Sequence, residues 1–263
     1  MSEPSHTIRI RVDATNPGQF FACCGLLELA ERLNPGALGW FENDLFVISE
    51  GPSLKALMAR IVVAELKQLD TDDTTASPIQ ISPPFGLRLD WWKSGDKTSS
   101  DLKVWAGTME SFRIARAMQH AMRDPVFSSA EILNIGMVAF DPDDLEKKVE
   151  PFYFDARRGP NAHSRDVGFA PNDLGMTTIA SPAVELLCLI GLQRVRPVSA
   201  GKPRLFDYHT WSLPLPPVLA PVAAAGLLPD AGARGYRFES WFRTGQRKHK
   251  AFITAKLITT SQP

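Results

Sequence analysis

The chain has 263 residues, 44% hydrophobic and 22% charged. That is enough apolar content for a sizeable buried core, and it excludes a mostly disordered, collagen-like or coiled-coil chain. Its 29 Lys and Arg balance its 29 Asp and Glu, which argues against a generic, highly basic nucleic-acid coat.

The first element in the chain is Thr7–Val12, where Ile8, Ile10 and Val12 alternate with Arg9 and Arg11 as in a half-buried strand. Asn16-Pro17-Gly18-Gln19 then starts a helix: Asn16 caps, Pro17 suits the first turn, and Gln19 stands where a capping-box partner belongs. This helix runs to about Leu33, is apolar almost all round, and keeps only Glu28, Glu31 and Arg32 as a polar stripe, so it is expected at the centre of the fold. Trp40–Phe41 and Leu45–Ile48 flank Asn43-Asp44 as a hairpin. A helix capped by Ser53 is expected to carry Leu54, Leu57, Met58, Ile61, Val62, Leu66 and Leu69. Ile79, Ile81, Phe85, Leu87 and Leu89 alternate around Pro83-Pro84 as two strands. Helices are expected over Leu102–Arg123, over Ser128–Leu133, and from Ser181-Pro182 to Val195. The last strands are Tyr236–Arg243 and Ala251–Thr259. The order is mixed, without a βαβα repeat. It predicts an α+β fold, with helices and mostly antiparallel strands and hairpins around one core. The chain reads as a single module over 1–263.

A sub-boundary is possible near 147–151, where the charge changes sign. Residues 1–150 carry 15 Lys/Arg and 22 Asp/Glu, a net of −7; residues 151–263 carry 14 and 7, a net of +7. Such a split suits a subunit with one face toward a polyanion, or halves that neutralise each other on folding.

Cys23, Cys24 and Cys188 sit in apolar runs and have neither metal-ligand spacing nor a disulfide pattern. The longest apolar run, Phe20–Leu27, is too short to span a bilayer. A soluble cytoplasmic protein without membrane contact is expected.

Three segments offer nucleic-acid chemistry. After Phe152-Tyr153-Phe154, expected to be a strand, periodicity is lost for about twenty residues, a loop length often tied to function. It holds Arg157, Arg158, Asn161, His163 and Arg165. Arginine forks match phosphates and guanine edges, and Asn reads adenine. The alternative is that Arg157 and Arg158 pair with Asp155 and Asp166 to staple the loop. Second, alternation places Trp91 in the core and Trp92 on the other face beside Lys93 and Lys97, as a base-stacking platform or a plain capped loop. Third, Arg243, Arg247, Lys248 and Lys250, with Gln246 and His249, form a basic hairpin tip suited to tracking a backbone, or a solvated turn.

Catalytic signatures are poor. The five histidines are dispersed, and no GxSxG elbow or phosphate-loop pattern is present. Asp141, Asp143 and Asp144 near Glu146 either cap a helix at a turn or bind a metal, and His163 among arginines is a candidate nuclease acid or base. No catalytic residue, metal or cofactor is assigned.

At TNPGQFFACCGLLELAERL (Thr15–Leu33) and FDARRGPNAHSRDVGFAPNDLGM (Phe154–Met176) the chain resembles the large-subunit family of the CRISPR type I-G (formerly I-U) effector, the small large subunit of a Cascade-type complex. The resemblance covers about forty residues. It implies a non-catalytic, DNA- and RNA-binding subunit of an antiviral-defence ribonucleoprotein. The implied partners are crRNA, target DNA, the backbone and 5′-handle/processing subunits, and the helicase–nuclease. The implied tasks are recognition of the protospacer-adjacent motif, opening of the duplex, and docking of the helicase–nuclease. In such complexes guide pairing reads most of the sequence, so a local basic surface suffices. A nuclease using His163 or Asp141–Asp144, and a purely structural scaffold, are the alternatives.

Overall fold

The computed structural model describes residues 6–93, 100–158, 178–228, 231–243 and 247–259. Among them the fold is α+β, with five α-helices and small antiparallel sheets around one contiguous apolar cluster that extends from Ile8 to Ala255.

Strand β1 (His6–Arg11) buries Ile8 and Ile10 and exposes Arg9 and Arg11, as its alternation requires. Helix α1 (Pro17–Leu33) starts at Asn16, whose side chain accepts from the Gly18 N–H. Gln19 does not close a capping box; its Oε1 accepts from the Asp13 N–H at 2.7 Å and ties the approach to the helix. Strands β2 (Leu38–Glu42) and β3 (Leu45–Gly51) form the expected hairpin around Asn43-Asp44, and β1 joins on β3.

Helix α2 (Leu54–Ile61) is shorter than its apolar periodicity predicts. The β-branched run Ile61-Val62-Val63 weakens the helix, and Leu66 instead enters strand β4 (Leu66–Gln68). β4 pairs with β5 (Ile79–Ile81), which pairs with β6 (Leu87–Leu89). The carbonyls left at the end of α2 are satisfied from afar, since Gln119 Nε2 donates to Ile61 and Ala64 at 2.8 and 2.7 Å.

Helix α3 (Ser111–Ala121) also begins later than expected. Leu102–Met109 is not helical: Gly107 turns the chain at φ +64, and Trp105 is held by donation from its Nε1 to the Thr75 carbonyl. The expected helix at Ser128–Leu133 is replaced by two single 3₁₀ turns, Pro125–Ser128 and Ile132–Asn134. Strands β7 (Ala139–Asp141) and β8 (Asp144–Val149) form a hairpin, so the Asp141–Asp144 turn caps no helix.

Helix α4 (Pro182–Arg194) lies against α1 with backbones in contact. A Cβ on Gly191 would collide with the Phe21 carbonyl, and one on Gly25 with the Leu187 carbonyl. Buried Glu28 of α1, expected on a polar stripe, clamps this pair by binding Arg32 at 2.6 Å and Arg194 of α4. The remaining sheet is built on β10 (Leu205–His209) and β11 (Gly235–Phe242). β9 (Val198–Ser199) extends it beside β10; β12 (Lys250–Phe252) and β13 (Lys256–Leu257) pair with β11. β9 and β10 escape the sequence reading, and α5 (Ala220–Ala224) is a single short helix within the Pro- and Ala-rich stretch. No helix among the described residues is long and apolar enough to cross a membrane.

Candidate nucleic-acid interface

The start of the arginine-bearing segment meets the head of α1. Asn16, at the head of α1, donates from Nδ2 to Asp155 Oδ1 at 2.7 Å, and its Oδ1 also accepts from the Ala156 N–H at 3.1 Å. Gly18 lies against the Phe154 carbonyl, where a Cβ would not fit. From α4, Glu185 accepts the N–H groups of Phe154 and Asp155 at 3.2 and 3.1 Å. The heads of both central helices therefore close on residues 154–156. The expected strand at 152–154 does not form, because Tyr153 turns at φ +76 and the next two N–H groups go to a side chain.

Arg157 completes this knot. Its guanidinium donates to both Asp155 oxygens at 2.7 to 3.1 Å, to the Leu133 carbonyl at 2.7 Å and to Asn134 Oδ1 at 2.9 Å. Burial pushes the Asp155 carboxyl up, and the Arg157 charge, with Ser181 and Asn16, outweighs it and holds the group below the usual carboxylate range. Arg158 lies 3.9 Å from Asp155 and donates to Ser181 Oγ at 3.3 Å. Of the two alternatives for Arg157, the staple to Asp155 is the one formed; Asp166 lies outside the described residues. So do Asn161, His163 and Arg165.

The second segment departs from its expected geometry. Trp92 does not face solvent: it is fully buried, donates to the Ala76 carbonyl at 2.9 Å, and packs edge-on against Trp91 and Trp105. Strict alternation fails because the chain turns after β6 rather than continuing as a strand. Lys93 pairs with Asp70 at 3.1 Å and Asp73 at 3.8 Å on the surface. Lys97 lies outside the described residues.

At the hairpin tip, only part of the basic run is exposed. Arg243 and Lys250 are buried, contrary to a wholly solvated tip. Arg243 lies 3.5 Å from the centre of the Tyr153 ring and donates from Nε to the Lys250 carbonyl at 3.0 Å. Lys250 Nζ donates to the Asp101 carbonyl at 2.8 Å, and burial pushes its pKa down to about 8. Arg247 and Lys248 remain exposed, between Gln246, which lies outside the described residues, and half-buried His249. Burial and the neighbouring Arg243 lower the His249 pKa.

The acidic turn is engaged by α3: Arg113 binds Asp141 at 2.7 Å, and Arg116 grips both oxygens of Asp143 at 2.6 and 2.9 Å. Among the described residues, no group of three or more His, Cys, Asp or Glu is placed to hold a metal. The sequence reading missed Glu185 altogether, although a lone acid inside the apolar run VELLCLIGL was its signal. Comparisons with known protein families, with curated proteins and with solved structures find no match.

Proposed function

We propose that the chain is a non-catalytic subunit of a cytoplasmic CRISPR type I surveillance ribonucleoprotein. It contacts target DNA at the protospacer-adjacent motif, helps open the duplex, and helps recruit the helicase–nuclease. The observation that carries this reading is the knot at Asn16, Gly18, Asp155 and Ala156. The opening residues of the two phrases that resemble the type I-G large-subunit family, at 16–18 and at 154–156, are far apart in sequence yet bonded together. Residues 154–156, at the start of the arginine-bearing segment, are anchored to the heads of α1 and α4. Arg165 in that segment, and exposed Arg247 and Lys248, are the proposed DNA contacts. Arg157 is tied to buried Asp155 at the surface, and Arg243 and Lys250 act inside the fold. That internal use of cations is what a purely structural scaffold would also show, so the test must separate the two.

The test is co-expression with a crRNA and the partner subunits encoded beside the gene, followed by duplex binding at several salt concentrations. The chain is expected to co-purify in the particle. Arg165→Ala and Arg247→Ala/Lys248→Ala should weaken duplex binding and flatten its salt dependence by roughly one phosphate contact per cation removed. A chain that stays out of the particle overturns the proposal. Normal assembly with unchanged binding by both variants leaves a scaffold. Nucleic-acid cleavage by the purified chain with Mg²⁺, lost in His163→Ala, would overturn the non-catalytic assignment.

A further inference from the structure

A second site lies where the β2–β3 turn faces the segments after β10 and before β11. Here the surface opens into a cleft of about 510 Å³, within the range of small-molecule sites and far too small for a duplex. It is backed by a rigid aromatic layer. Trp211 is buried against Phe20, Phe41 and Phe46, with its Nε1 committed to the Gly39 carbonyl at 2.8 Å, so it supports the cleft from beneath. Tyr236 is buried and stacked on Tyr208, with ring centres 5.5 Å apart and planes 19° from parallel. Trp40 lines the cleft and is partly exposed.

The rim is polar and exposed. Glu42, at the end of β2, is oriented by an ion pair with Arg9 at 3.1 Å. Asn43 sits beside it in the tight turn, at φ +55. Opposite, the Arg234 carbonyl accepts from the Thr210 N–H at 3.0 Å, which fixes the backbone from which the exposed guanidinium projects.

We propose that this cleft takes one unstacked nucleobase of a single strand, with a preference for bases that carry an exocyclic amino group. A flat π-face suits the partly exposed Trp40, held by the aromatic layer behind it, as in proteins that splay single-stranded bases onto aromatic side chains. A carboxylate at the rim accepts from the amino group of cytosine or adenine and faces a repelling carbonyl in thymine or uracil. Arg234 supplies a fork for the adjoining phosphate. A bare anion would meet Glu42, and an apolar ligand would leave Glu42 and Arg234 unused. The inference rests on the nucleic-acid reading above for the source of the strand, but it concerns different residues.

The test uses the full chain, single-stranded hexamers of deoxycytidine and of thymidine, binding read by tryptophan fluorescence, and photo-crosslinking to map the contact. The deoxycytidine hexamer is expected to bind more tightly. Trp40→Ala and Arg234→Ala should each weaken it about ten-fold, and Trp40→Phe should retain most of the affinity. Glu42→Gln should erase the preference between the hexamers while leaving thymidine binding intact. Equal affinity of wild type for the two hexamers, no measurable binding, wild-type affinity in a Trp40→Ala variant of unchanged Tm, or crosslinks only outside the cleft would overturn the inference. None of these results alters duplex binding by the assembled particle, so the cleft and the proposed function fail separately.

Discussion

The base of the arginine segment and the basic hairpin tip look alike as sequence, but they place their guanidinium groups in opposite ways. Arg157 is exposed and meets a buried carboxylate, Asp155, two residues away, which the heads of the central helices enclose. Arg243 meets an aromatic face and a carbonyl, and no carboxylate lies within ion-pair distance of it among the described residues. In the first arrangement, loss of Arg157 leaves the buried Asp155 carboxylate without its cation; in the second, loss of Arg243 leaves no carboxylate unpaired among the described residues. Identical side chains thus carry different energetic consequences, set by what encloses them.

The largest expected effect tests the first half of that contrast. Arg157→Ala should lower stability by about 3 to 5 kcal/mol, because it strands the buried Asp155 carboxylate without its cation; urea denaturation monitored by circular dichroism gives the value. A loss below about 1 kcal/mol would remove the distinction between the two regions.

The pH dependence of stability sharpens it. Burial, with the Asp155 charge adding and backbone N–H donors opposing, pushes the Glu185 carboxyl up to about 8 from its ordinary 4.5. Between those values the folded chain holds a proton that the unfolded chain has released. Glu185 therefore makes stability fall as pH rises through that window, by at most ~1.4 kcal/mol per pH unit. At the hairpin the sign is reversed. Lys250 is pushed down to about 8 from 10.5, so the unfolded chain holds the extra proton between them and stability rises with pH in that window. Denaturation series across pH 5–10 (approximate limits set by these windows) should show Glu185→Gln removing the fall and Lys250→Met removing the rise.

Arg243→Met comes next, with an expected cost of about 1 to 2 kcal/mol, the scale of a desolvated cation–π contact. A cost matching that of Arg157→Ala would mean that Arg243 balances a buried charge after all. Smallest of all, Arg247→Ala/Lys248→Ala should leave the thermal midpoint unchanged, since both side chains are exposed; a clear drop would show that the tip itself is structural.

Legibility followed the range over which each feature is encoded. Asn16-Pro17-Gly18 marks the start of α1 and Ser181-Pro182 that of α4, because capping and the proline φ act within one turn. The β2–β3 hairpin was readable for the same reason, from two apolar runs and Asn43 at positive φ. The ends of α2 and the beginning of α3 were not. Leu66 and Leu102 fit a helical stripe, but the partners that removed them from it are β5 and the tryptophan cluster. Of the candidate site, the cationic segments were visible as composition, whereas which cations face outward was not.

The amino-acid sequence alone determined an α+β chain with two apolar helices, amphipathic short strands and three cation-bearing segments, because periodicity, caps and turn residues are local properties. Only the tertiary structure decided that Trp92 is core, that Arg157 is a strut, that Arg243 rests on Tyr153, and that Trp40 and Arg234 border one cleft. Burial of a charge or a ring depends on groups brought from distant parts of the chain, and no local pattern records which groups those are.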